Sequence, residues 1–164
     1  MAKIILICGK ICSGKTYYSE QLKKQENAIV LSCDELSFDL SLNMIDNSNK
    51  HDEIMEKVKK YLRKKAVEIV AHGTNVILES GFWGKEERQN VSQYFMKHNI
   101  SYEWHYIDIS DREWQINIKK RNQLVRENKE NAYYLDEGLL EKLLSRSEKP
   151  SKDEIDIWFV NRPE

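Results

Sequence analysis

Residues 9–16 read GKICSGKT; the apolar run KIILIC (residues 3–8) precedes them and the helix-capable stretch YYSEQLKKQ (residues 17–25) follows. The eight residues fit G-x-x-x-x-G-K-[ST], the pattern of a phosphate-binding loop. A strand that ends in a Gly-bearing loop and turns into a helix aims several backbone N–H groups, and the positive end of the helix dipole, at one point where an anion binds. Gly9 and Gly14 supply backbone freedom and close approach, Lys15 carries charge to the β- and γ-phosphates, and the Thr16 hydroxyl is placed to hold Mg²⁺. The expected ligand is a nucleoside triphosphate with its metal, lying against Gly9, Lys10, Ile11, Cys12, Ser13, Gly14, Lys15, Thr16 and Tyr17.

Working outward, apolar runs alternate with helical patterns. AIVL (28–31) reads as a second strand, NVILES (75–80) as a third, YEWHYIDI (102–109) as a fourth and IDIWFV (155–160) as a fifth. Between them, residues 52–71 place apolar side chains at helical spacing, as do 85–98, 112–129 and 137–147. Five near-continuous apolar strands separated by helices predict an α/β fold with a parallel sheet, right-handed crossovers and helices on both faces. In such a sheet ligands bind beyond the carboxyl ends of the strands. There the sequence carries Asp34 and Glu35 after strand two, Glu79 closing strand three, and Asp108 and Asp111 around the end of strand four. Glu79 is positioned to hold Mg²⁺, and Asp34 to accept the proton of an attacking hydroxyl. Asp108 and Asp111 read as caps of the next helix.

A chain of 164 residues is expected to form one domain, 1–164, burying roughly 70% of its unfolded surface. With 26 basic against 27 acidic side chains, whole-chain charge makes no case for a nucleic-acid or membrane partner. No apolar run approaches the roughly 18 residues of a membrane span, no signal-peptide pattern is present, and a cytoplasmic location is expected. Cys8, Cys12 and Cys33 have no metal-ligand spacing and read as reduced thiols, Cys12 alone lying in the loop, where its modification should block nucleotide binding. His51, His72, His98 and His105 read as surface or helix-end residues, and Trp104, Trp114 and Trp158 as core.

The pieces GKICSGKT, LSCDEL, VILESGFWGKEER, YIDISDREWQINIKKRN and SEKPSKDE resemble, in order and spacing, the small P-loop kinases: the kinase domains of polynucleotide kinases, zeta toxins, chloramphenicol phosphotransferase, and gluconate and shikimate kinases. The chain is most similar to the compact AAA-type ATP-binding proteins of that group. The resemblance implies a three-layer αβα sandwich with a five-stranded parallel sheet in the order 2-3-1-4-5, a helical lid at about 112–130, and transfer of the γ-phosphoryl group of ATP·Mg²⁺ to a hydroxyl. It implies Asp34 as the base, Phe82, Trp83 and Arg88 on the acceptor side, Arg121 with Asn122 at the lid, and 148–154 near the adenine. Arg121 and Arg126 lie in the lid region that supplies arginines to the transferred phosphoryl group. The Phe82-Trp83 pair could equally stack a ring or plug the sheet end. Asn117 stands where related sequences often carry another arginine, and Lys149 replaces a proline.

The leading expectation is an ATP-dependent phosphotransferase acting on an unidentified small-molecule hydroxyl acceptor, as a monomer or homodimer. A 5′-hydroxyl polynucleotide kinase is the first alternative, opposed by the near-zero charge. A nucleotide-binding regulatory module with slow ATPase activity is the second, opposed by Asp34.

Overall fold

The five apolar runs pair side by side in a single parallel sheet. The structure is a computed structural model describing residues 1–130 and 132–162. In chain order the strands are β1 (Ile4–Cys8), β2 (Ala28–Ser32), β3 (Asn75–Glu79), β4 (Tyr102–Ile109) and β5 (Ile157–Asn161), and they lie in the order β2-β3-β1-β4-β5. Every pairing is parallel, with β1 at the centre: Ile5 sits opposite Ile77 on one side and Glu103 on the other. The six helices are α1 (Lys15–Glu26), α2 (Cys33–Asp39), α3 (Ser48–Ala71), α4 (Lys85–Lys97), α5 (Asp111–Arg126) and α6 (Glu137–Ser145).

Alternation along the strands divides the core between the two faces. Ile4, Leu6 and Cys8 of β1, with Val76, Leu78, Trp104 and Tyr106, pack under α3 and α4 through Val58, Leu62, Ala66, Val70, Val91 and Phe95. Ile5, Ile7, Ile77 and Ile107 face the other way, onto Leu22 of α1. A third cluster, Ile109, Trp114, Ile118 and Leu135, ties α5 and α6 to the loop residues Ile11 and Cys12. The lid region is thereby anchored beside the glycine-bearing loop.

Several local readings are corrected. Residues 33–39, which the sequence pattern assigns to no element, form α2, whose start is capped by Ser32 accepting from the Glu35 N–H at 3.2 Å. The S-x-x-E spacing of Ser32 and Glu35 carried that signal. The cap of α5 is Ser110, accepting from the Glu113 N–H at 3.3 Å. Asp108 instead lies within β4 and accepts from the Trp158 indole N–H at 3.2 Å, and Asp111 pairs with Lys10 at 3.3 Å. Trp158 is only half-buried, because β5 is an edge strand with Ile157 and Phe159 exposed.

His105 is also corrected: it is 1% exposed in β4, with Nε2 donating to Glu103 at 2.8 Å and Nδ1 facing the Tyr18 hydroxyl at 2.8 Å. Lys3, 3.0 Å from Glu103, extends the network, and Asp156 adds negative charge from the β5 side. Burial holds the His105 pKa below its ordinary 6.5, against the opposing pull of Glu103. The unfolded chain therefore takes a proton that the native imidazole resists. Stability should fall as pH drops from 6.5 toward the lower native pKa, by at most about 1.4 kcal/mol per pH unit. Urea unfolding of His105→Gln from pH 7.5 to 5.0 should show that slope flattened; an unchanged slope would assign it to another group.

Candidate functional site

The loop between β1 and α1 closes because its two glycines lie where no side chain fits. A Cβ on Gly9 would lie 2.8 Å from both Ile107 O and Ser13 Oγ. Gly14, the residue that caps α1, has φ +101°, and a Cβ there would collide with the Asn161 amide. The Ser13 N–H closes the turn on Lys10 O at 3.1 Å. Lys15 folds back beneath it, its Nζ donating to Gly9 O at 2.7 Å and Lys10 O at 2.9 Å. Burial lowers the Lys15 pKa from its ordinary 10.5, while Asp34 and Glu79 pull it back up.

Three side-chain N–H groups hold the outer side of the loop. The Trp114 indole donates to Ile11 O at 2.6 Å, Asn117 to Cys12 O at 3.0 Å and Asn161 to Ser13 O at 2.9 Å. Arg121 follows on the same face of α5, with Nη1 3.8 Å from Cys12 Sγ, Nη2 donating to Tyr133 O at 3.3 Å, and Nε buried without a partner. Asn122, beside it, secures the return of the chain through two bonds with the Leu135 backbone, at 2.9 and 2.8 Å.

Beneath the loop lies a polar layer. Glu79 ends β3 with Oε1 buried and unbonded, and the hydroxyls of Ser13 and Ser19 are likewise buried without partners. Burial pushes the Glu79 carboxyl up, against the pull of the Lys15 charge, while the nearby Ser19 hydroxyl forms no hydrogen bond with it. Orphaned oxygens of this kind suit a ligand that brings its own donors or a cation with bound water. Thr16 is exposed at the start of α1, on the same turn as Lys15. Among the described residues no group of three or more His, Cys, Asp or Glu side chains forms a metal cage. A divalent ion here would rely on the Thr16 hydroxyl, water, the Glu79 carboxylate and phosphate oxygens, and the residues fit that arrangement.

The structure thus brings together Gly9, Ser13, Gly14, Lys15, Thr16, Asp34, Glu79, Cys12 and Arg121 of the expected site, Asp34 standing in the first turn of α2 with its charge felt by both Lys15 and Glu79. Other expected residues fall elsewhere. Lys10 contributes its carbonyl, while its ammonium lies 4.2 Å over the Trp114 ring. The Ile11 side chain packs in the third core cluster. Tyr17 is 70% exposed, on the first turn of α1. Arg126, in the last turn of α5, bonds the Tyr134 hydroxyl and covers its ring.

Phe82 is the plug rather than a stacking platform: it is 1% exposed, at φ +52°, edge-on to Trp104 with centroids 5.0 Å apart. Arg88 is 3% exposed and committed to Phe82 O and Trp83 O, both at 3.0 Å, and to Glu154 at 3.2 Å. It holds the β3–α4 turn through Nε and Nη1, and its Nη2 is buried without a partner. Trp83 remains half-buried, its ring lying against Gly81. Segment 148–154 packs on the start of α4, with the Glu148 N–H on Trp83 O at 2.8 Å and Glu154 on Arg88. The residue of the last strand that touches the phosphate loop is Asn161.

Sequence reasoning passed over Trp114 and Asn161 as loop contacts and took Asn117 only as a departure. The spacing 114, 117, 121 on one helix face was the available signal. It also passed over the aromatic contact of Tyr133 with Phe38, at 5.3 Å between centroids, and the His51 Nε2 to Tyr133 hydroxyl distance of 3.1 Å.

The profile of an AAA domain family (AAA_33) matches residues 4–150, almost the whole sheet and its helices. The chain belongs to this family. No curated protein shows significant sequence similarity to it. Among solved structures, this AAA-domain protein is similar to APE1195 (16% identity, TM-score 0.71, 96% of this chain and 84% of that one). It is also similar to the APS kinase of Mycobacterium tuberculosis in complex with AMPPNP and APS (13%, 0.66, 99% and 90%) and to a sugar kinase from Janibacter sp. HTCC2649 (12%, 0.65, 98% and 86%). At these identities the likeness establishes a shared α/β fold. No described helix is long and apolar enough to cross a membrane.

Two outcomes test the site as placed. Phe82→Ala should cost about 3–5 kcal/mol in urea unfolding, as for a core aromatic; a loss below about 1 kcal/mol would return Phe82 to the surface. In the native protein at pH 8, iodoacetamide should modify Cys12 in preference to the buried Cys8 and Cys33, whose thiols burial pushes up to about 12 and about 11; burial also raises the half-buried Cys12 thiol, with the Arg121 charge opposing it. Nucleotide binding should disappear with that modification; retained binding would remove Cys12 from the site.

Proposed function

We propose that this AAA-domain protein is an ATP-dependent kinase that transfers the γ-phosphoryl group of ATP·Mg²⁺ to the hydroxyl of a small molecule. The observation that carries the reading is the Lys15 ammonium held by the loop carbonyls within the charge influence of two carboxylates of different setting: Glu79, half-buried with Oε1 unpartnered, and Asp34, exposed on α2.

That difference divides the work. The loop N–H groups and Lys15 bind and orient the phosphates, while Thr16 and Glu79 would hold Mg²⁺, which when bound offsets charge on the β- and γ-oxygens. Asp34 has the exposure an incoming acceptor needs, and takes the proton from its hydroxyl. Arg121, next to Cys12, lies where it can stabilise charge on the transferred group.

A small acceptor is favoured over a nucleic acid 5′-end by the near-zero whole-chain charge, 26 basic against 27 acidic side chains, and by the pairing of some, though not all, of the basic side chains around α3 and α4. Lys59 is held by Glu87 at 2.9 Å and Glu56 at 3.4 Å, Arg88 by Glu154, and Arg146 by Asp52 at 3.4 Å. Cations already paired contribute little to the phosphate contacts a polynucleotide needs.

Transfer of label from γ-labelled ATP·Mg²⁺ into a panel of sugars, nucleosides, antibiotics and a 5′-hydroxyl oligonucleotide tests the reading. Lys15→Ala should abolish both nucleotide binding and transfer. Asp34→Asn should keep nucleotide affinity within about threefold and lose about 10²- to 10⁴-fold in transfer. Label released only as free phosphate, equally in wild type and Asp34→Asn, would favour a nucleotide-binding module instead.

A further inference from the structure

We infer that Trp114, Asn117 and Asn161 are positioning residues for the phosphate site, forming a clamp that turns the loop's N–H groups toward the ligand. This inference rests on the nucleotide-site reading above and adds to it the means by which the loop is held ready.

The geometry is that of the planar trans peptide, in which the carbonyl of one residue points opposite to the N–H of the next. Successive carbonyls, Ile11 O, Cys12 O and Ser13 O, are drawn outward by the Trp114 indole at 2.6 Å, the Asn117 amide at 3.0 Å and the Asn161 amide at 2.9 Å. The N–H groups of Cys12, Ser13 and Gly14 are thereby turned the other way. Ser13 N–H closes the turn on Lys10 O, and the N–H groups of Cys12 and Gly14 stay directed inward beside the first turn of α1, whose N–H groups have no partner within the helix. Lys15 holds the carbonyls of Gly9 and Lys10 at the mouth of the same loop. The backbone carbonyls of residues 11 to 13 are therefore held outward, and those of Gly9 and Lys10 are engaged by Lys15 rather than left bare toward an anion.

The clamp draws on distant parts of the chain. Trp114 and Asn117 lie one turn apart on α5, the next turn of that face carries Arg121, and Asn161 ends the edge strand β5. Asn117 stands in place of a possible arginine, so α5 offers the loop an amide that fixes its shape in addition to the charge of Arg121. Gly14 shows how tightly Asn161 is fitted, since the space for a Cβ there is already taken by the Asn161 amide.

The test is isothermal titration of ATP·Mg²⁺ and of inorganic tripolyphosphate into wild type, Asn117→Ala, Asn161→Ala and Trp114→Phe, which keeps the ring and loses the N–H. Each is expected to bind both ligands about 3- to 10-fold more weakly, by the same factor for the two, because the phosphate cradle and not the base site is altered. Asn75→Ala is the control. Asn75 also makes two bonds, with the Lys3 N–H at 3.0 Å and Glu26 O at 2.7 Å, but at the opposite end of the strands. It should lower the melting temperature and leave both affinities unchanged. Affinities within twofold of wild type in all three clamp variants would overturn the clamp while leaving the nucleotide site standing. A wild-type protein that binds neither ligand would overturn both.

Discussion

An ammonium group taken out of water must be given acceptors, and much of the surrounding structure answers that requirement for Lys15. Two carbonyls of its own loop accept from it, and the charges of Asp34 and Glu79 oppose the effect of its burial. A carbonyl can serve Lys15 only where the chain bends back on itself, which needs glycine at 9 and 14. Ile107 and Asn161 approach those two positions so closely that a side chain there would meet them. The central strand, the start of α1, the end of β3 and the end of β5 are bound together through one side chain and the loop around it.

The layer beneath the loop is costly by the usual rule that buried polar atoms find partners. Ser13, Ser19 and Glu79 each leave an oxygen unbonded in the protein interior. A protein shaped for stability alone would fill that space with apolar groups. Strands with fully buried centres, such as Ile4–Cys8 and Val76, Ile77 and Leu78, supply the apolar burial that offsets it. The unmet polarity of Ser13, Ser19 and Glu79 lies where a ligand with phosphates and a metal would satisfy it.

Beyond the loop, the chain after α5 ties the phosphate side to the acceptor side. The Tyr133 backbone carbonyl accepts from Arg121, while its ring packs on Phe38, one turn from Asp34 on α2, and its hydroxyl meets His51 at the start of α3. Lys142 of α6 and Arg146, just past its end, reach Ser48 and Asp52 on α3. These contacts bring the segment after α5 against α2 and the start of α3, one turn from the carboxylate proposed to activate the acceptor.

The sequence by itself determined the sheet, the loop and the chemistry of its residues, because each rests on local physics: continuous apolar runs for doubly covered strands, period 3.6 for the helices, and a glycine-bearing turn before a lysine for an anion. It also placed Lys15, Thr16, Asp34 and Glu79, since strand ends are readable from hydrophobicity and the fold puts them together. Which aromatic is a plug and which a wall was decided only by packing: Phe82 and Trp83 are adjacent and alike in type, yet one faces Trp104 and the other does not. The same holds for His105, whose burial depends on Tyr18 and Glu103, and for Arg88, whose charge is absorbed by Glu154, 66 residues away. The clamp of Trp114, Asn117 and Asn161 joins residues more than 100 positions from the loop they hold. Side-chain hydrogen bonds of that range leave no periodic trace in a sequence, because they are set by where the elements pack and not by how each one forms.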